Sequence, residues 1–395
     1  MKLNRINVPT GVSLQSVPGL REDPRAAMAQ RLPAALQPFL TWLTAKPAPG
    51  EAAREIPARR YVAGGLAWMA VGCALSATAL LAALPWPVAL LMLAAGLTAT
   101  SSGLGLYQVV IFHHCSHGTV FRSRERNRQV GRLVSALLLF TRFEDYQRDH
   151  MMHHSANKLL TDEDEFTGFV FGVCGLEPGV PKRELWRRVV MNLISPAFHA
   201  RFLLRRVKAA MFSGDRQHDW MARAGLALPL LVAAATGAWG AVLVAWFLPL
   251  TILLQIATVF RILCEHRFPD VALIEARGKA FVCASTVGVF PGALPPEALA
   301  TSLRGALAWT GWWARMLTAV LFSRVFVLVG DAPCHDFHHR RPATRKWTDY
   351  ARARQQDEDA GSPGFPMNYS ENWGLIHAVD RNLATLAATP PGAVA

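Results

Sequence analysis

Three short histidine clusters lie far apart in the chain: His113-His114-Cys115-Ser116-His117, His150-Met151-Met152-His153-His154 and His335-Asp336-Phe337-His338-His339. With 13 His in 395 residues, a given three-His pattern arises at ~0.00004 per starting position, so three such clusters are no accident of composition. In a helix, positions i, i+3 and i+4 share one face, and each cluster can therefore bring two or three imidazoles to one point. Neutral imidazole suits first-row transition metals, and the clusters hold more donors than one tetrahedral zinc can use. Two metals are implied.

The elements that carry these clusters belong to a membrane. Charged residues make up 17% and hydrophobic ones 52% of the chain, a balance too apolar for a soluble surface of this size. Residues 61–112 contain no Asp, Glu, Lys or Arg, and Pro85-Trp86-Pro87 divides them into two runs, each close to the ~20 residues that cross a core of ~30 Å. A second uncharged stretch, 224–260, is bracketed by Arg223 and Arg261; as one helix it would run roughly 55 Å, too long for a single crossing. Broken at residues 236–240, it gives two more spans. The expected fold is all-α and integral to the membrane, with four transmembrane helices (about 61–84, 88–112, 221–236 and 241–262) in two hairpins and a cytoplasmic helical cap carrying the histidine boxes.

Charge placement gives the orientation. The net charge is +13, yet the outer turns at 85–87 and 236–240 carry no charge, and all Lys and Arg lie in the first 60 residues, in 118–223 and after 260. This is the positive-inside asymmetry, which puts both termini and the clusters in the cytoplasm, facing anionic headgroups or an acidic soluble partner. No nucleic-acid-binding motif is present. The chain divides into a Pro-rich cytoplasmic segment (1–60) without the apolar core of a signal peptide, a membrane domain (61–341) and a cytoplasmic C-terminal tail (342–395). Residues 31–43 read either as an interfacial helix with Leu32, Leu36, Phe39, Leu40 and Leu43 on one face, or as a loosely packed surface helix. The six Cys show no CxxC spacing, so no disulfide framework follows.

Topology tests the metal reading, since ligands to one site must end on one side of the bilayer. Span two ends beside His113, and 150–154 follows with no span between. After two further spans the chain returns at Arg261, with Cys264-Glu265-His266 within about one turn. For His335 to join them, the apolar pieces 281–296 and 305–330 must cross zero times or twice. Zero is expected, with both pieces packed as interfacial or re-entrant helices, because Arg315 and Arg324 are costly in lipid. Trp309, Trp312 and Trp313 read as an interfacial aromatic belt or as the lining of an acyl tunnel.

Taken together, the boxes resemble the membrane-bound fatty acid desaturase and hydroxylase superfamily. His113-x-x-x-His117 followed by Gly118, His150-x-x-His153-His154 and His335-x-x-His338-His339, spaced around two span pairs, carry the resemblance over roughly 61–341. It implies two non-haem irons, O2 as co-substrate and an external electron donor, ferredoxin-like or another carrier with its reductase. The implied ligands are His113, His117, His150, His153, His154, His335, His338 and His339, with His266 where related enzymes supply one more; His114 is an alternative to His113. Asp149, Glu265 and Asp336 are candidates to hold the outer N–H groups, whereas the acidic run 162–165 reads better as a solvated loop.

The implied reaction is desaturation of a fatty acyl chain, supplied as free acid, thioester or acyl-lipid. Hydroxylation, triple-bond formation or terminal-alkene-forming decarboxylation is the alternative within the superfamily, and a metal transporter or metal-binding membrane protein the alternative outside it. A bacterial inner membrane is the expected location. Arg122, Arg124, Arg126, Arg128 and Arg132 either steer an acidic carrier or anchor the domain on anionic lipid. His199, His218 and His377 read as ordinary residues, and the segment 368–374, faintly similar to one in alkane hydroxylases, as coincidence.

Overall fold

The computed structural model describes residues 22–298 and 301–394; the reading of residues 1–21 falls outside them. Helices α1 (Pro24–Arg31) and α2 (Gln37–Thr44) lead into the long apolar helices α3 (Ala58–Leu81) and α4 (Trp86–Ser116). Then come α5 (Arg124–Leu137), α6 (Phe143–His153) and a short helix α7 over 165–173, followed by α8 (Lys182–Ile194) and α9 (Pro196–Met211). The chain continues through α10 (Arg216–Thr236), α11 (Trp239–Glu265), α12 (Val271–Ala276), α13 (Gly278–Ser285) and the strand β1 (Gly288–Phe290). It closes with α14 (Leu303–Val327), α15 (Ala332–Arg340), α16 (Tyr350–Asp359), the strand β2 (Glu371–Trp373) and α17 (Leu375–Ala388).

The protein is mostly helical and belongs in a membrane. Among the described residues three helices are long and apolar enough to cross one, α3, α4 and α11, and α14 with α15 makes a fourth if that pair, bent by 77°, is one span. The expected third span is covered by α10, whose first two turns carry Arg216, Asp219 and Arg223; the uncharged remainder is short of the ~20 residues a crossing needs. Large apolar side chains such as Leu81, Trp86, Leu91, Leu228 and Leu231 are exposed on these helices, the outward face a lipid-bound protein presents. Helices α3 and α4 approach through small residues: a Cβ on Gly72 would lie 2.4 Å from Thr100 N, and one on Gly96 2.3 Å from Ser76 Oγ. Close backbone approach of this kind takes the place of the hydrophobic drive that lipid cannot provide.

Several sequence expectations need correction. Residues 31–43 do not form one helix, because Pro33 interrupts α1 before a 3-10 turn and α2 begins at Gln37. Leu40 and Leu43 of α2 are buried with Met28 against Trp312, while Trp309 and Trp313 pack around them. The Trp312 and Trp309 indoles donate to the carbonyls of Ala293 (3.0 Å) and Ala298 (2.9 Å). These tryptophans seat the N-terminal helices. The piece 281–296 is not an interfacial helix either. Its Phe281, Val282, Val287 and Val289 are core, and β1 pairs in parallel with β2, Gly288 opposite Glu371. Arg324 is tolerated in α14 because its guanidinium turns to backbone, donating to the carbonyls of Trp42 (2.9 Å), Gly330 (2.9 Å) and Leu328.

The segment after residue 341 is folded into the same body. Leu375, Val379 and Leu383 of α17 share a core with Leu263 of α11, Phe281 and Phe166. Arg354 of α16 reaches back to the third box, where its Nη2 donates to Asp336 Oδ2 at 2.8 Å with both side chains 1% exposed. Breaking such a buried pair by removing one partner costs about 3–5 kcal/mol, and here it would also release the helix that carries His335, His338 and His339.

Candidate metal centre

Each box sits where a helix ends or bends. The first closes α4, which winds as a π-helix over Leu106–Phe112 before His113; such segments recur at functional sites because they shift the face that follows. The second closes α6, and α15 presents the third. Gly330, at φ +57°, turns the chain between α14 and α15, and a Cβ there would lie 2.4 Å from Val110.

The imidazoles form two groups. His113, His117, His150, His154 and His338 make one, and His153, His266, His335 and His339 the other, with the ligand atoms of each group within 4.8 Å of one another. In the first, His113 Nε2 lies 2.8 Å from His338 Nε2, and His150 Nε2 lies 2.9 Å from His113 Nε2 and 3.0 Å from His117 Nε2. In the second, His266 Nε2 lies 3.1 Å from His153 Nε2 and 2.9 Å from His335 Nε2. The groups share a wall where the rings of His154 and His339 stack at 4.4 Å.

The His150–His113 contact cannot be a hydrogen bond, because both rings already spend their N–H elsewhere. His113 Nδ1 donates to the Val109 carbonyl (3.0 Å), His153 Nδ1 to Asp164 (2.8 Å) and His150 Nδ1 to Glu165 (3.1 Å). A neutral imidazole has one N–H, and in all three it is spent on Nδ1, so each Nε2 is a bare lone pair. Burial, with the neighbouring imidazoles, holds His150, His154 and His266 far below the usual histidine range, and pushes His117 down to about 3. Lone pairs facing one another at this range repel unless a cation lies between them. Two donors at right angles on bonds of ~2.1 Å stand about 3.0 Å apart, the spacing observed. The donor set fits a metal in each group.

The supporting contacts differ from the sequence reading. Asp149 pairs with Arg148, and Asp336 with Arg354; neither holds an imidazole. Glu265 Oε2 accepts from Arg261 at 2.8 Å, and its Oε1 stays 3.9 Å from His335 Nδ1. Asp164, read as part of a solvated run, is 1% exposed and takes His153 Nδ1 together with the backbone N–H of Leu160 and Phe166. The proximity of Asp164 overcomes burial and raises the His153 pKa. Asp162 and Glu163 of that run are solvated as expected, and Glu165 is exposed while it holds His150. Tyr350, whose hydroxyl lies 3.1 Å from His338 Nδ1, carried no sequence signal. Nor was Asp331 singled out: its Oδ2 lies 2.7 Å from His114 Nε2. His114 thus turns away from both groups and stacks on Trp347 at 4.9 Å.

The fatty acid desaturase family model matches residues 83–318, more than half of the chain. The chain belongs to the fatty acid desaturase family. The match takes in the first two boxes and His266 and stops before the third; it is the fold that returns His335, His338 and His339 to the same point. Comparison with curated proteins finds no match. Desaturase membership and the converging imidazoles together make this a metal-binding membrane protein with the chemistry of an oxidoreductase.

A cavity of about 270 Å³ opens beside the centre, touching His113, His150, His153, His266 and His335. Its walls are aromatic and aliphatic (Phe112, Phe140, Phe166, Phe169, Phe202, Leu254), with Gln255, Arg206, Arg261 and Glu265 among them. Of the remaining histidines, His199 lies 2.8 Å from Gln255 Oε1, His218 is buried and His377 exposed. Segment 368–374 supplies β2 and no atom to either group.

Proposed function

We propose that the protein is a membrane-bound, non-haem di-iron oxidase that uses O2 and electrons to desaturate a fatty acyl chain. The observation that carries this reading is the pair of nitrogen groups, nine imidazoles converging from three boxes and His266 with an apolar cavity at their side. His113, His117, His150, His154 and His338 would hold one iron, and His153, His266, His335 and His339 the other. Bound iron supplies the power to activate dioxygen and remove hydrogen from an unactivated C–H bond. The chain's own part is positional: Val109, Asp164 and Glu165 fix ring orientation and tautomer, and the aromatic wall holds an apolar chain against the histidines and keeps water away from it. The active site faces the cytoplasm of a bacterial inner membrane, and electrons arrive from a separate acidic carrier.

Metal analysis of the purified protein tests the first half of this reading, with about two irons per chain expected from the two groups; none would sink it. Comparison of the lipids and culture extracts of strains with and without the gene tests the second. A new double bond is expected, and a hydroxyl, triple bond or terminal alkene instead would move the chemistry to another member of the same family.

A further inference from the structure

The cavity beside the centre contains a charge that an all-hydrocarbon ligand does not need. Arg206 of α9 borders it and donates to the carbonyls of Leu139 (3.2 Å), Leu250 (2.7 Å) and Leu138 (2.9 Å). These bonds use three of the five guanidinium N–H groups and leave one on each terminal nitrogen. No carboxylate pairs with Arg206 among the described residues, and carbonyl dipoles do not cancel a unit charge. The other partly buried cation on this wall, Arg261, has Glu265 at 2.8 Å. Burial draws the Arg206 guanidinium down to about 10, so it remains a cation at neutral pH. A charge partly withdrawn from water calls for a counter-ion, and here the open side is the cavity.

A second group points the same way. Gln255 is 1% exposed and borders the same cavity. Its Oε1 is taken by His199 Nδ1 at 2.8 Å, and its Nε2, buried, has no partner. His199 and Arg206 lie seven positions apart, two turns along one face of α9, and Arg206 reaches Leu250, about a turn from Gln255 on α11. From Arg206 the cavity wall runs through rings: its guanidinium lies over Phe140 (5.5 Å), which neighbours Phe112 (5.7 Å), then Tyr146 (4.5 Å), which stacks on His150 (5.2 Å).

We propose that the substrate binds as an unesterified fatty acid, its carboxylate on Arg206 and Gln255 and its hydrocarbon lying along the aromatic wall toward the histidines. This rests on the reading of the site as a fatty acyl oxidase and narrows it to free acids. A thioester or glycerolipid has no anionic oxygen at that point of the chain and would leave the guanidinium unpaired.

Equilibrium binding of labelled decanoic, myristic and stearic acids and of their methyl esters to the full-length protein, with and without iron, tests this directly. A charge-assisted pair in a partly buried site predicts acids held ~10- to 100-fold tighter than esters. Arg206→Gln should abolish that preference while leaving ester binding alone, Arg206→Lys should restore part of it, and Gln255→Leu should reduce it. Equal binding of acid and ester by the unaltered protein, or tighter binding of the coenzyme A thioester, overturns the proposal even if Arg206→Gln proves too unstable to purify. Arg206 would then be only a cap on the carbonyls after α5. Loss of the functional reading looks different: acids would still be preferred, but the protein would hold no iron and yield no oxidised product.

Discussion

The two nitrogen groups are built from the same boxes but are not equivalent. The five-histidine group has two members, His117 and His154, that are only partly buried, and its carboxylate support, Glu165, is exposed. The four-histidine group is buried throughout, and Asp164 beneath it is 1% exposed with three donors. The first has a donor to spare and two partly exposed members; the second has a minimal set of four, each buried against the protein. Low local dielectric strengthens every contact in the second group and raises the cost of losing one. The difference suggests that the four-histidine group dictates whether the site assembles, and that the five-histidine group is the more adaptable face.

Deleting one donor from each group gives the largest effects and tests that contrast. His266→Ala should lower bound iron to roughly half and abolish product, because three buried lone pairs remain and no neighbouring side chain replaces the fourth. His338→Ala leaves four donors and should retain most of the iron while losing turnover. Elemental analysis alongside product assay reads both. Equal iron loss in the two variants would mean that the groups are equivalent, whereas normal turnover in His266→Ala would remove it from the site.

Replacing the carboxylates gives a smaller, graded response. Contacts of this kind are worth about 10- to 100-fold in metal affinity, and Asp164→Asn should fall at the upper end and Glu165→Gln at the lower. The pH dependence sharpens the test. Asp164 raises the His153 pKa, so protons compete with metal there as pH falls, and removing the carboxylate lowers the pH at which that competition sets in. Iron affinity measured downward in pH should therefore show Asp164→Asn with a weaker plateau, but with the fall from its own plateau beginning at lower pH. A fall beginning at higher pH than in the unaltered protein would contradict the assigned role of Asp164.

Much of the centre was legible because its signal is periodic and local. Imidazoles at i, i+3 and i+4 share a face whatever surrounds them, and long uncharged runs have few fates. His266 is legible from its place directly after the long apolar run that forms α11. What the sequence hid depends on tertiary contact. The burial of Asp164 among acidic neighbours, the hold of Tyr350 on His338, and the pairing of Arg354 with Asp336 require segments far apart in sequence to meet. The same holds for α10, where three charges in the first turns shorten an apolar stretch that hydropathy alone accepts, and for Trp312, whose spacing reads as a belt until α1 and α2 cover it.

The smallest effect concerns electron delivery, and here the structure narrows the expected arginine cluster. Arg128 pairs with Glu144 at 2.9 Å, and Arg132 with Asp215 and Glu144, so their field is largely spent. Arg122, Arg124 and Arg126 are exposed and pair with no acid among the described residues. If they steer an acidic carrier, turnover under limiting ferredoxin should fall with ionic strength as the Debye length shrinks from ~10 Å at 0.1 M to ~3 Å at 1 M. Changing Arg122, Arg124 and Arg126 to Gln should flatten that dependence by a few-fold while leaving iron content and turnover with a small chemical reductant unchanged. Changing Arg128 and Arg132 should do less to the salt response, because their charge is already compensated. If instead the exposed trio binds anionic lipid, its replacement weakens association with phosphatidylglycerol vesicles and leaves the ferredoxin salt response intact, an outcome that rules out docking on this face.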